Sequence, residues 1–265
     1  MNGIVDWDRD APQWLAVLDA AGGGTPPGER ATDGLWAIYG PLLGRGGLRP
    51  LVLGQLGQSL DGRIATGAGH SRYINGPAAI MHLHRLRALV DAIVIGVGTA
   101  LADDPRLTVR HAALRRGAPQ PARVVIDPHG RLPPDAQCLR DDGARRIVVQ
   151  AGGRARLPGV EVVAVDACGD GLAPAGILAA LRRCGLARIL VEGGANTVSR
   201  FLSAGCLDRL HVVVAPIIIG DGPVGLTLPP IPTLDAALRP AVCATALPGG
   251  DMLFDCALSG TEPTP

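Results

Sequence analysis

From Leu48 onward the chain alternates between two patterns of apolar and polar positions. Short, nearly continuous apolar runs occupy residues 51–56, 92–97, 123–126, 146–150, 160–165, 188–191 and 211–215. Runs of this length, rich in Val, Ile and Leu, read as strands buried on both faces. Between several of them the apolar positions recur at helical spacing. One helix is expected to take Asn75 as N-cap, hold Pro77 in its first turn and run to about Leu89. A second covers 174–184, with Ile177, Leu178, Leu181 and Cys184 on one face and Gly185 as its stop. A third begins at Gly194 and ends near Gly205. A last strand is expected over 251–257, and the Pro-rich stretch 223–240 reads as a long loop before it. The alternation predicts an α/β fold in three layers, a largely parallel central sheet flanked by helices.

Residues 1–47 follow a different pattern. Trp7, Trp14, Leu15 and Leu18 suit a short amphipathic helix, broken by Gly22-Gly23-Gly24 and Pro26-Pro27-Gly28, and Trp36, Ile38 and Leu42 make a second apolar patch. So short a piece has little core of its own, so it reads as an arm packed on the main domain or on a sister subunit. The expected division is an extension over 1–47, one domain over 48–259 and a tail over 260–265.

Composition narrows the chemistry. Apolar residues are 47% of the 265, but aromatics only 3%, so the core must be built from Val, Leu, Ile and Ala. A net charge of +1 argues against a broad electrostatic partnership with nucleic acid or an anionic membrane. Every fixed positive side chain is arginine. The lack of lysine excludes a lysine Schiff base, a lysine general base and a Walker-type phosphate loop. Six cysteines without a C-x-x-C pair read as free thiols of a reducing compartment. With an acidic N-terminus and no apolar run of membrane-spanning length, a soluble cytoplasmic protein is expected.

Two strand ends carry glycine-rich turns. Val191-Glu192-Gly193-Gly194-Ala195-Asn196-Thr197 follows a buried strand and opens a helix, so close backbone approach and a helix N-terminus are both offered to a diphosphate. Glu192 matters here because a carboxylate at the end of a buried strand is costly unless it binds something. Gly96-Val97-Gly98-Thr99 repeats the arrangement, with Thr99 placed to cap a short helix. Arg85 and Arg87, two apart on one helix, are expected to point one toward a ligand and one to solvent, and Arg110 to close on the same phosphate as Arg87. His82 and His84 share the i,i+2 spacing that points two side chains apart, so no metal site is expected from them. No nucleophile elbow appears.

The segments S-L-D-G-R-I-A (59–65), H-S-R-Y-I (70–74), G-V-G-T-A-L-A-D-D-P-R-L-T-V-R (96–110) and V-E-G-G (191–194) together resemble the reductase domain of riboflavin biosynthesis, a dihydrofolate-reductase-like fold. The similarity spans roughly residues 48–258. It implies that Gly57, Tyr73, Thr99 and Asp103 contact NADPH, and that Gly193, Gly194, Ala195, Asn196 and Thr197 hold its diphosphate. Ser71, Arg87, Leu107 and Arg110 would bind a phosphorylated ribosylamino-pyrimidine, with Glu192 at the pyrimidine as the catalytic candidate. The implied reaction reduces that substrate to its ribitylamino product, the sugar ring opening before hydride reaches C1′. The implied assembly is a homodimer, with the apolar strand 211–219 at the subunit interface rather than at an open edge. Three positions, and the segment before the domain, depart from the family pattern. Tyr73 replaces a usual tryptophan, Gln55 stands where bacterial members carry lysine, and Pro128 replaces a small hydroxyl residue that helps bind NADPH. Residues 1–47 hold neither cysteine nor histidine, so no zinc deaminase is expected before the reductase.

Two other functions remain open: a sister reductase of another pyrimidine or pteridine, and a non-catalytic nucleotide-binding protein on the same scaffold. The arginine cluster favours a phosphorylated substrate over a folate-like one. Retention of Glu192 together with the 99–110 block disfavours a relic.

Overall fold

The computed structural model describes residues 11–25, 34–43, 50–152, 157–169 and 171–258. Trp7, Pro26-Pro27-Gly28 and the tail 260–265 lie outside them. In chain order the helices are α1 (Ala11–Ala21), α2 (Leu35–Tyr39), α3 (Pro77–Ala88), α4 (Val97–Asp103), α5 (Pro174–Arg183) and α6 (Ala195–Ser203). The strands are β1 (Leu51–Ser59), β2 (Ala92–Gly96), β3 (Ala122–Ile126), β4 (Arg146–Ala151), β5 (Glu161–Val165), the small hairpin β6 (Ala167–Cys168) and β7 (Gly171–Leu172), β8 (Arg188–Glu192), β9 (Arg209–Ala215), β10 (Ala241–Ala246) and β11 (Met252–Ala257).

All but the small hairpin join one sheet of order β10-β11-β9-β1-β8-β2-β3-β4-β5. From β9 to β5 every pairing is parallel, whereas β11 and β10 add an antiparallel flank. The late strand β8 enters between β1 and β2, the point where the winding direction reverses. Ligands of open α/β sheets bind at such a switch, beyond the carboxyl ends of the strands.

Alternation along the strands builds a core on each face. Leu51, Leu53, Leu190, Val213 and Leu253 face α1, α2 and α3, in one cluster with Trp14, Val17, Leu35, Ile38, Tyr39 and Leu86. Val52, Val94, Val124, Ile189 and Val191 face Ile177, Leu178, Leu181, Val198 and Phe201 of α5 and α6. A third cluster packs α4 and Leu107 against Ile93, Ile95, Val125 and Val148. The described part of the extension is thus continuous with the core of the main domain. Leu15, expected on its apolar face, is 59% exposed.

Each expected strand is present, with ends shifted by up to three residues: the first, expected over 51–56, runs on to Ser59. Val97 belongs to α4 rather than to β2. Gly76, not Asn75, caps α3; the Asn75 side chain instead donates to the Val213 carbonyl at 3.3 Å. Thr99 is no cap either, since α4 starts two residues earlier from Gly96. The stretch 223–240 leads into β10, a strand the sequence pattern did not show, which pairs along its whole length with β11. β9 is no edge: it lies between β11 and β1, and His211 is fully buried.

Candidate active site

A cleft of about 880 Å³ opens at the carboxyl ends of β1, β8, β2 and β3. Its floor is backbone. Gly193 and Gly194 sit at φ 56° and 55°, the left-handed region that a side chain resists. The two turns interlock reciprocally. A Cβ on Gly194 would lie 2.5 Å from Thr99 Oγ1, and one on Gly96 would lie 2.5 Å from Thr197 Oγ1. Each loop therefore uses its glycine to seat the other's threonine. A Cβ on Gly98 would meet open space. No side chain caps α6; Thr197 N–H already reaches the Gly194 carbonyl at 3.0 Å, which leaves the Ala195 and Asn196 N–H groups to the cleft.

Gly57, Ser71, Thr99, Asp103, Gly193, Gly194, Ala195, Asn196 and Thr197 all line this cleft. Tyr73 does not; it sits 83% exposed on a left-handed turn. The sequence reading reached the far end only at Pro128; it missed His129 and Arg131, which follow β3 there, and Leu172, Pro174 and Ile177, which surround the start of α5. The D-P-H-G-R turn at a strand's carboxyl end was the signal available for it.

The S-L-D-G-R segment is a brace. Asp61 accepts from Ser59 Oγ and from the Ile219 and Gly220 N–H groups, and these bonds hold its carboxyl down to about 2. Arg63 donates to the Gly220 and Gly222 carbonyls, at 2.9 and 3.0 Å. Together they tie the loop after β1 to the loop after β9.

On the α3 side of the sheet, four polar residues stand in register across four strands: Glu192 of β8, Gln55 of β1, His211 of β9 and Asp255 of β11. All are at most 9% exposed. Arg87 of α3 grips Glu192 through Nε at 2.7 Å and Nη2 at 2.6 Å, and gives Nη1 to the Thr108 carbonyl at 3.0 Å. This corrects the reading of Arg87 as a phosphate fork. It is 6% exposed, and three of its five N–H groups are already engaged. Nor does either arginine of the pair face solvent: Arg85 is 4% exposed, with its guanidinium over the Trp14 ring at 5.4 Å.

At the other end of the row, Tyr39 Oη meets His82 Nδ1 at 2.9 Å and His82 Nε2 meets His211 Nδ1 at 3.1 Å. His211 Nε2 lies 3.1 Å from Asp255, which Arg209 grips through two bonds. Burial holds the His82 imidazole neutral, well below its usual range. Burial raises the Asp255 carboxyl, but His211 and Arg209 outweigh it and bring it to about 2.

α3 also holds the segment after α4. His84 Nδ1 accepts the Arg110 N–H at 3.0 Å, while burial, with Arg87 and Arg110 nearby, lowers its imidazole to about 3. Leu107 has φ 51° and is 1% exposed in the third apolar cluster, so its side chain is core and not a substrate contact. Arg110 remains exposed, bonded to Thr108 Oγ1 at 2.8 Å. It shares a second hollow of about 400 Å³ with Arg106 and Arg140. Ser71 is in the first cleft and Arg110 in the second, so the structure does not gather the expected substrate residues into one pocket. Among the described residues no group of three or more His, Cys, Asp or Glu could hold a metal ion.

The match to known proteins coincides with this architecture. The family model described as RibD C-terminal domain matches residues 50–245. The riboflavin biosynthesis protein RibD of Aquifex aeolicus is 33% identical over 179 residues, covering 66% of this chain and 48% of that protein. The chain thus spans about half the length of that relative. The 2,5-diamino-6-ribosylamino-4(3H)-pyrimidinone 5′-phosphate reductase of Archaeoglobus fulgidus is 35% identical over 182 residues, covering 65% of this chain and 83% of the other. Among solved structures, Acinetobacter baumannii RibD superposes with a TM-score of 0.68 at 27% identity, over 78% of this chain and 58% of that one. With the cleft, the paired glycine turns and the Glu192 strand end all inside the matched span, this chain belongs to the RibD C-terminal domain family.

Proposed function

We propose that the chain is an NADPH-dependent reductase of a 5-amino-6-(5-phosphoribosylamino)pyrimidine, in its uracil or 2,5-diamino form, within riboflavin biosynthesis. The observation that carries this reading is the cleft itself, because its glycine floor and uncapped α6 N-terminus suit a dinucleotide diphosphate. The steric fit is specific: a Cβ at Gly194 would close the space that Thr99 occupies. Thr99, Asp103 and residues 193–197 would hold the cofactor, which supplies a hydride when bound. Gly57 and Ser71 lie at the β1 end of the cleft, where the nicotinamide and the substrate's ribose would meet.

Arg87 takes the role of positioning residue. It fixes both carboxylate oxygens of Glu192, each of which keeps a further lone pair for an amino or ring N–H group of a pyrimidine. Gln55, beside it in register, offers a carboxamide to the same base. Arg110 is left as the exposed guanidinium for the substrate phosphate, where a charge-assisted bond contributes roughly 1.5–3 kcal/mol. Synthetic uracil and diamino substrates should each be tested for NADPH oxidation and a ribitylamino product. Oxidation with neither would overturn this reading.

The same reading makes the chain a cytoplasmic homodimer. Its six cysteines are free, and among the described residues no helix is long and apolar enough to cross a membrane. β9 cannot be the interface, being interior. Exposed Ile218, Ile231, Leu234, Leu238 and Val242 instead gather on the loop 216–240 and the edge strand β10. Light scattering at micromolar concentration should return twice the chain mass; a monomer contradicts it.

A further inference from the structure

The chain from Asp104 to Pro121, between α4 and β3, forms no helix or strand of its own. A stretch of that length without regular structure is costly to order, and those that stay ordered are usually functional. This one carries Thr108 and Arg110, so whatever fastens it decides where the Arg110 guanidinium stands. Its first half is fastened by the main domain. Leu107 is core, Arg87 holds the Thr108 carbonyl, and His84 accepts the Arg110 N–H. Gln120 bonds both the Val109 N–H, at 2.7 Å, and the Val109 carbonyl, at 3.1 Å.

The second half is fastened from outside the matched domain, which begins at residue 50. Trp14 of α1 donates its indole N–H to the Ala113 carbonyl at 3.2 Å. Arg115 reaches the other way, from Nη1 to the Ala21 carbonyl at the end of α1, at 3.5 Å. α1 has no basic residue in its own last turn, so Arg115 brings the cation that the carboxyl end of a helix favours. The arginine stem lies across Gly22, where a Cβ would come 3.2 Å from Arg115 Cδ. Ala112, beside Ala113, packs on the apolar cluster that holds Trp14 and Leu18. The indole itself is fixed: it is 4% exposed, edge-on to Tyr39 at 5.2 Å and beneath the Arg85 guanidinium. One residue of the extension thus joins this loop to α3, the helix whose Arg87 and His84 hold the loop's first half.

We propose that Trp14 and Arg115 are positioning residues for Arg110: they clamp the loop onto α1 and keep the guanidinium where the substrate's 5′-phosphate meets it. The inference rests on the reductase reading above, with Arg110 at the phosphate. Both residues act through the loop. Held at one end only, the loop would spread Arg110 over more positions, and binding would have to order it each time. The extension therefore helps the chain select a phosphorylated substrate, besides covering one face of the sheet.

The test is steady-state kinetics of the intact chain on the 5′-phosphate substrate and on the same compound without its phosphate. Trp14→Phe keeps a ring against Tyr39 and Arg85 and removes the donor. Arg115→Ala removes an exposed side chain, and urea unfolding checks that both variants stay folded. Each should raise the KM for the phosphorylated substrate about fivefold, the worth of one hydrogen bond. The kcat, the NADPH KM and kcat/KM for the phosphate-free compound should stay within about twofold. On an Arg110→Ala background Trp14→Phe should add less than about twofold, since an absent guanidinium cannot be misplaced. Hydrogen exchange across residues 109–116 should quicken about fivefold in Trp14→Phe, with α3 and β2 unchanged. An unchanged KM, an equal loss on both substrates, or the full effect on the Arg110→Ala background overturns the inference. A wild type that turns over neither compound overturns the reductase reading. Exchange then decides alone, and unchanged exchange in Trp14→Phe overturns the clamp.

Discussion

The cleft beyond β8 and the polar row beneath α3 draw on the same strands, yet are made of opposite materials. The cleft is backbone: its glycines remove side chains, and its donors are uncapped helix N–H groups. The row is side chain: Arg87, Glu192, Gln55, His211, Asp255 and His82 are buried, and nearly every one is held by another. The cleft can accept a ligand because little in it is satisfied internally. The row resists change because a buried charge stripped of its partner is left without water to replace it. Glu192 belongs to both, ending β8 in the row and leading into Gly193 of the cleft.

That contrast is broken most directly at the ion pair. Glu192→Ala or Arg87→Ala should each cost about 3–5 kcal/mol of unfolding free energy by urea titration, because each leaves a buried charge alone. The double variant Arg87→Met/Glu192→Leu should recover much of the loss. If Arg87→Ala moved only the substrate KM, with stability held within about 0.5 kcal/mol, the pair would not be the brace described. In the cleft, Gly194→Ala should cost about 1–3 kcal/mol through its positive φ. It should also weaken dinucleotide binding at least tenfold by displacing Thr99, measured by titration with NADPH.

Outside both regions, Arg110→Ala should leave stability unchanged and raise the substrate KM about thirtyfold, with kcat retained. A KM within about twofold would remove Arg110 from the phosphate site. The smallest effect is that of pH on the row. His82 and His84 are both lowered from 6.5, so below that pH they take protons in the unfolded chain but not in the folded one. Stability from these groups is present above pH 6.5 and lost as pH falls, by about 1.4 kcal/mol per unit for His82. Urea midpoints on either side of pH 6.5 measure the slope, and a flat profile would contradict the neutral, buried imidazole.

The strands were legible because parallel strands covered on both faces leave continuous apolar runs. β10 was not, since Ala241–Ala246 is half exposed and follows a proline-rich stretch. The cleft was largely legible for a related reason: a glycine turn at a strand end advertises itself locally. The row could not be read, because Arg87 and Glu192 are 105 residues apart and only the sheet register brings them together. A buried arginine and a phosphate-binding arginine look alike as letters, and so do a core Leu107 and a ligand-facing one. Burial, which decides between them, is a property of the assembled sheet.

The place of β8 in the strand order has a consequence for synthesis. β1 and β2 are made first but are not neighbours, and both strands that flank β1, β8 and β9, come late; until β8 is translated nothing joins β1 to the sheet that starts at β2. Through that interval both edges of β1 and the inner edge of β2 stand unpaired, and Arg87 has no carboxylate to meet. Such a species is slow to close and prone to aggregate, since its central pairings are long-range. A nascent chain stalled before Arg188 has therefore lost the keystone of the sheet rather than a strand from its margin.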